Sequence, residues 1–387
     1  MSYMTEERRM IQESAREFAM SEVLPVANKL DPVQGDIPME LRDKLADMGY
    51  FGIIIPEEYG GLGLGVFEYC LITEELARAW MSVASIVARG NGLIGSRAMS
   101  EEQKRRYLTR MAKGEFLGAF SMSEPSAGSD VANITCRARR DGQGWVINGN
   151  KYWCTFADGA DYIMLIARTS EPPDAKRRHA GLSCFLIEKP RGELPKGCSG
   201  SPIPKIGYFG WKTWELAFDN CRIGPECLVG EEGKAFYTVA QGLEKARAHT
   251  AARAIGLARG GLEDALAYAQ ERVQFGQPIG VFQAIRFKLA QMATEIEAAR
   301  QLMYYVCDQI DQKKRCDKEA SMVKLFASEM AERVTSEALQ IHGGAGYTKL
   351  YAVERYWRDA RLTKIFEGTS EIQLRIISDH LLGKPGA

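Results

Sequence analysis

The sequence predicts a mainly helical α+β protein in which a small β unit separates two helical ones. Three observations carry that prediction. The first ~115 residues place apolar side chains at helical intervals, as at Ile11, Ala15 and Phe18. From about Phe116 the texture changes to short strand-like runs broken by Gly, Pro, Asn and Asp. After Gly233, long segments without internal proline repeat apolar residues at helical spacing.

Taken in order, residues 1–117 read as an all-helical unit, including a stretch with Leu71, Glu74, Glu75 and Arg78 on helical spacing. Residues 118–230 read as a β domain with strands at Trp145-Val146-Ile147, Tyr162 to Ile166 and Leu182 to Ile187. Residues 231–387 read as a helical bundle, with helices over Phe236–Arg272, Phe282–Asp311 and Glu319–Ile341. The charged stretches Asp311–Arg315 and Glu171–Arg178 read as solvated loops.

Composition removes several function classes. Lys plus Arg and Asp plus Glu each number 50, so the net charge is zero and nothing favours a dedicated nucleic-acid or membrane-surface binder. Nine cysteines without a C-x-x-C pair and four histidines without H-x-x-x-H spacing predict neither a metal site nor a disulfide framework. No apolar run approaches the ~18 residues of a membrane span, and the start lacks a cationic leader. The expected compartment is cytoplasmic, or the mitochondrial matrix if a leader has been removed. Gly90-Asn91-Gly92-Leu93-Ile94-Gly95 spells G-x-G-x-x-G, but it follows a helical segment and lies in no βαβ unit, so a nicotinamide site is not expected.

Near the C-terminus the chain reads Ile365-Phe366-Glu367-Gly368-Thr369-Ser370-Glu371-Ile372-Gln373. Thr369 and Ser370 are candidate N-caps, Ser370 to Gln373 has capping-box spacing, and apolar residues follow at helical intervals. Glu367 therefore sits on the loop ahead of a helix N-terminus, where free backbone N–H groups and Gly368 suit a flat ligand. Locally, an ordinary acidic residue near a helix cap explains the same pattern.

Four further segments change the weighing. They are Phe120 to Asp130 (FSMSEPSAGSD), Trp145 to Thr155 (WVINGNKYWCT), Glu271 to Gly276 (ERVQFG) with Gln283 downstream, and Gln340 to Tyr347 (QIHGGAGY). Together, and in this order, they resemble the signatures of the acyl-CoA dehydrogenases, and the resemblance runs from Pro56-Glu57-Glu58-Tyr59-Gly60-Gly61 to the C-terminus. It implies an N-terminal helical domain, a middle β-barrel-like domain and a C-terminal four-helix bundle. It also implies FAD as cofactor, an acyl-CoA substrate, a homotetramer built as a dimer of dimers, and an electron-transferring flavoprotein as electron acceptor.

Residue by residue, the resemblance makes Glu367 the base that takes the α proton while flavin N5 accepts the β hydride, giving the trans-2-enoyl-CoA. The chemistry needs such a division, because side chains accept protons but not hydride. Burial between substrate and flavin is expected to raise the Glu367 pKa. Flavin contacts are implied for Phe120, Ser121, Ser123, Ser129, Trp153 and Thr155. Arg272 and Phe275 are implied to reach a neighbouring subunit's flavin, with Gln283, Gln340, Gly343, Gly344, Thr369 and Glu371 completing the cofactor set. Ser129 and Arg247 are implied on the coenzyme A side, and Val83, Ile86 and Val87 at the acyl end. Some members carry their base at the position of Ala246, which here cannot act as one.

The acyl group stays open at this level. Arg89 and Lys212 allow a substrate with a second carboxylate, and the Phe209–Trp214 stretch departs from the family pattern at Trp211 and Lys212. Rival readings are an acyl-CoA oxidase, whose chain is typically much longer, and a non-catalytic helical interaction protein on the same fold.

Overall fold

The computed structural model describes residues 3–92, 96–174 and 177–383. Leu93-Ile94-Gly95 of the glycine motif and Ala175-Lys176 of the charged loop lie outside the described residues.

Among the described residues, six helices form the N-terminal part: α1 (Glu6–Phe18), α2 (Leu24–Leu30), α3 (Met39–Asp47), α4 (Val66–Ala79), α5 (Met81–Gly90) and α6 (Glu101–Ala112). Starts are set by short polar caps. Thr5 Oγ1 accepts from the Arg8 N–H at α1, and Ser100 with Gln103 makes a reciprocal capping box at α6. Every residue of α4 except Glu68 is buried, because α4 lies between α1 and the C-terminal bundle.

The middle strands are β1 (Gly118–Ser121), β2 (Arg137–Asp141), β3 (Gly144–Thr155), β4 (Tyr162–Arg168), β5 (Leu182–Glu188), β6 (Cys198–Pro202), β7 (Thr213–Ile223) and β8 (Leu228–Val229). They form one eight-stranded mixed sheet in the order β6-β7-β3-β2-β4-β5-β8, with β1 parallel to β4. The barrel-like expectation is corrected: the sheet is open, with β6 and β8 at its ends. Closure would need those two edges to pair. β8 is only two residues long, and β6 ends on Pro202, which has no N–H to offer a neighbour. The central strand β4 is buried along its whole length, which accounts for its unbroken apolar sequence.

The C-terminal part comprises α7 (Ala235–Glu271), a two-residue hairpin of β9 (Val273–Gln274) and β10 (Gln277–Pro278), α8 (Gln283–Asp311), α9 (Asp317–His342), α10 (Val353–Thr363) and α11 (Ser370–Leu382). The three long helices match the predicted ones to within two residues at each end. α7 is the hub, packing on α4, α8, α9 and α10. Its alanines at 248, 251, 252, 254 and 258 are fully buried, and a Cβ at Gly256 would collide with the Glu74 carbonyl, so small residues let α4 close on it. Buried Glu74 pairs there with Arg259 at 3.2 Å and Arg300 at 2.9 Å, tying α4 to α7 and α8. No helix among the described residues is long and apolar enough to cross a membrane, and no cluster of three metal-ligating side chains occurs among them.

Candidate active site

Glu367 stands on the loop between α10 and α11 in the left-handed region, φ 54°. A non-glycine residue there stores strain of about 1–3 kcal/mol, so surrounding contacts must hold it. They do so on both sides of the residue. Ile365 and Phe366 N–H groups donate to the Leu362 carbonyl, Ser370 N–H to the Lys364 carbonyl, and the buried Lys324 ammonium to the Gly368 carbonyl at 2.6 Å. Gly368 has φ 92° and a Cβ there would lie 2.6 Å from Gln373 Nε2. The capping-box expectation is corrected: Thr369 is the N-cap, accepting from the Ile372 N–H, while Gln373 Nε2 donates to the Gly368 carbonyl and Ser370 Oγ to Glu329.

The carboxylate is gripped by α7. Thr250 Oγ1 donates to Oε2 and Arg253 Nη2 to Oε1, each at 2.6 Å, and 35% of the Glu367 side-chain surface remains open. The pKa expectation is therefore corrected for this state. Burial pushes the carboxyl upward, but the Arg253 charge and the hydrogen bonds from Thr250 and Arg253 outweigh it and hold Glu367 down to about 2. Arg253 itself is buried, donates to Ser85 Oγ at 2.9 Å, and lies over the Phe366 ring at 4.6 Å.

The two segments with flavin-type signatures meet where the loop after β1 contacts β3. Tyr152 N–H donates to the Ser123 carbonyl at 2.8 Å, and the Lys151 ammonium donates to the Met122 carbonyl and to Glu124 Oε1, both at 2.8 Å. Glu124 also accepts from the backbone N–H groups of Thr135 and Cys136, so this fully buried ion pair fixes the loop after β1 against β3. Ser121 is buried on β1, Thr155 Oγ1 shares a hydrogen bond of 3.0 Å with Thr213 Oγ1, and Ser129 is exposed on the following loop. Phe120 and Ser123 are half-buried. Trp153, with φ 64°, is held on strained backbone with 56% of its surface exposed. An indole presented this way beside hydroxyl and backbone donors fits a flat, heteroatom-rich ring such as an isoalloxazine.

A second group gathers at the far end of the bundle. Arg272 caps α7, Phe275 is 93% exposed at φ 52°, and Gln283 opens α8. The His342 ring at the end of α9 stacks on Tyr268 of α7 at 4.2 Å, which brings Gln340, Gly343 and Gly344 to the same end as Arg272. A Cβ at Gly343 or Gly344 would meet nothing within 4 Å, so backbone approach there is open. Among the described residues no hydrogen bond or ion pair joins this group to the Trp153 face. Thr369 and Glu371 lie at the start of α11, beside Glu367.

Val83, Ile86 and Val87, the residues expected at the acyl end, are fully buried in the apolar core. The α5 residues that meet α7 beside Glu367 are instead Ala84, whose carbonyl lies 3.3 Å from His249 Nε2, and Ser85. Arg247 is buried on α7 with its Nε lacking a partner among the described residues. Lys212 is half exposed, 3.9 Å from both Asp36 and Asp158. A surface cleft of about 420 Å³ lined by Tyr59, Arg97, Lys104 and Lys245 contains none of the predicted site residues. Sequence reasoning missed Thr250, Arg253 and Lys324. The available signal was Arg247, Thr250 and Arg253 at successive three-residue steps within an alanine-rich helix, a polar stripe where a core face was due.

Fold and site together define a helical–sheet–helical architecture with a partly open carboxylate on the α10–α11 loop. Three family models match in chain order: acyl-CoA dehydrogenase N-terminal domain over residues 5–115, middle domain over 119–221 and C-terminal domain over 233–382. An acyl-CoA dehydrogenase of Bacillus subtilis is 40% identical across 98% of this chain and 99% of its own. A caffeyl-CoA reductase-Etf complex subunit of Acetobacterium woodii is 38% identical across 99% of this chain and 100% of its own. Among solved structures, butyryl-CoA dehydrogenase from Megasphaera elsdenii superposes with TM-score 0.91 at 34% identity, covering 98% of this chain and 99% of that one. The chain belongs to the acyl-CoA dehydrogenase family and is an oxidoreductase.

Proposed function

We propose that the protein dehydrogenates an acyl-CoA thioester between its α and β carbons, with Glu367 as the base. The observation that carries this reading is the partly open Glu367 carboxylate, held by two hydrogen bonds on a strained loop. FAD, the cofactor of this family, supplies the acceptor for the β hydride when bound. Trp153, Ser121, Ser123 and Thr155 would hold its ring, and Glu367 takes the α proton into its carboxylate. The backbone N–H of Glu367 donates to nothing among the described residues, which leaves it free to polarise the thioester carbonyl. Arg272 and Phe275, exposed in a single chain, reach the cofactor of a neighbouring subunit in a dimer of dimers. Electrons leave to an electron-transferring flavoprotein, a reading supported by the relative named as an Etf-complex subunit.

The test is anaerobic stopped-flow reduction of the flavin by butyryl-CoA in the parent and in Glu367→Gln. The amide keeps the shape of the carboxylate and cannot take the proton, so the variant is expected to keep its flavin and lose about 10²–10⁴-fold in reduction rate. A variant rate within tenfold of the parent removes Glu367 from the role.

A further inference from the structure

Beside Glu367, the interior holds more positive than negative charge. Arg253 pairs with Glu367, but Arg89, at the end of α5, makes no hydrogen bond or ion pair among the described residues. Its guanidinium lies over the Trp211 ring, 5.1 Å from the ring centre. Trp211 packs on Tyr208 at 5.2 Å, Tyr208 on Phe366 at 5.9 Å, and Arg253 lies over Phe366 at 4.6 Å, so Arg89 and Arg253 border one cluster of rings next to Glu367. His249 adds no charge, since burial and Arg253 push its ring down to about 3. Lys324 adds a further cation on the Glu367 loop.

Four polar atoms of these side chains lack partners as well. Arg89 Nε, Arg253 Nε, Trp211 Nε1 and Tyr69 Oη are buried without hydrogen-bond partners among the described residues. Arg253, Tyr69 and Trp211 are at most 4% exposed. Such groups are costly to bury unless a ligand satisfies them. The loop that delivers Trp211 is built into place: Gly210 has φ 104°, a Cβ there would lie 2.8 Å from Trp80, and Ser82 Oγ of α5 donates to the Phe209 carbonyl. Lys212 faces the other way, toward Asp36 and Asp158.

We propose that the substrate's acyl group carries a carboxylate of its own, received by Arg89 and Arg253 where α5, α7 and the Phe209–Trp211 loop come together. This rests on the dehydrogenase reading, in which the α carbon must come within hydrogen-bond reach of Glu367. The phosphates of coenzyme A lie a full pantetheine arm from the thioester, so an anion beside Glu367 has to belong to the acyl chain. A planar guanidinium binds a carboxylate through two parallel hydrogen bonds, and Arg89 has its donors free. The arriving carboxylate also competes with Glu367 for Arg253. Glu367 then loses the counter-ion that keeps it a weak base, so a carboxylate-bearing acyl chain both fills the site and activates it.

The test compares butyryl-CoA with succinyl-CoA and glutaryl-CoA in the holoenzyme, by kcat/KM, and in the Glu367→Gln holoenzyme, by calorimetric Kd. At least one dicarboxylic thioester is expected to be favoured tenfold or more in both measurements. Arg89→Gln is expected to reduce that ratio at least tenfold, and Arg89→Lys to restore part of it if the glutamine variant folds poorly. Equal or weaker binding and turnover of both dicarboxylic thioesters, with butyryl-CoA reducing the flavin, overturns the inference alone. If no thioester binds or reduces the flavin, the dehydrogenase reading fails with it.

Discussion

Arg253 donates to Glu367 at 2.6 Å, so the proposed base rests against a guanidinium reaching it from the middle of α7. Arg253 also lies over the Phe366 ring, and the pair couples the α10–α11 loop to the hub helix of the bundle.

That pairing has a pH signature. Glu367 is depressed from 4.5 to about 2, so its contribution to stability is fully present above pH 4.5 and is lost as pH falls through about 2. The stability gap between the parent and Glu367→Gln is therefore expected to be widest above pH 4.5 and to narrow toward pH 2. Melting temperatures by circular dichroism across that range measure it. A gap that stays constant would show that the pair contributes nothing to folding.

The buried pair of Lys151 and Glu124 holds the loop after β1 against β3. Lys151→Met leaves Glu124 charged and unpaired in the interior, which typically costs about 3–5 kcal/mol. Denaturant unfolding is expected to register that loss together with a fall in the flavin-to-protein ratio. Adding Glu124→Gln is expected to recover part of it. Unchanged stability in the single variant would mean that water or rearrangement rescues Glu124.

Arg272→Ala is expected to weaken flavin retention and assembly together, because Arg272 and Phe275 are exposed in one chain and have a proposed partner only in another. Flavin absorbance per protein and light-scattering mass are the measurements. Full flavin occupancy in an undisturbed oligomer removes Arg272 from the shared site.

Much of the architecture was legible because it depends on local periodicity. The helices α7, α8 and α9 are long, proline-free and regularly apolar, so their ends fall within two residues of expectation. The strand runs of β3, β4 and β5 alternate or run apolar between turn residues in the same way. Glu367 was legible from its neighbours in sequence, since the cap and Gly368 mark its loop. What covers the sheet ends was not: whether an eight-stranded sheet closes depends on where β6 and β8 finish in space, which spacing along the chain does not encode.

The sequence by itself determined the order of the three parts, the family signatures and the position of the proposed base. Only the tertiary structure decided what that base faces. Thr250 and Arg253 are separated from Glu367 by 114 or more residues and meet it because α7 packs beside the α10–α11 loop. Their burial turns side chains that read as ordinary helix charges into the groups that set the base's protonation and the charge of its surroundings. The strength of a charge interaction depends on distance and on exclusion of water, and both are properties of packing.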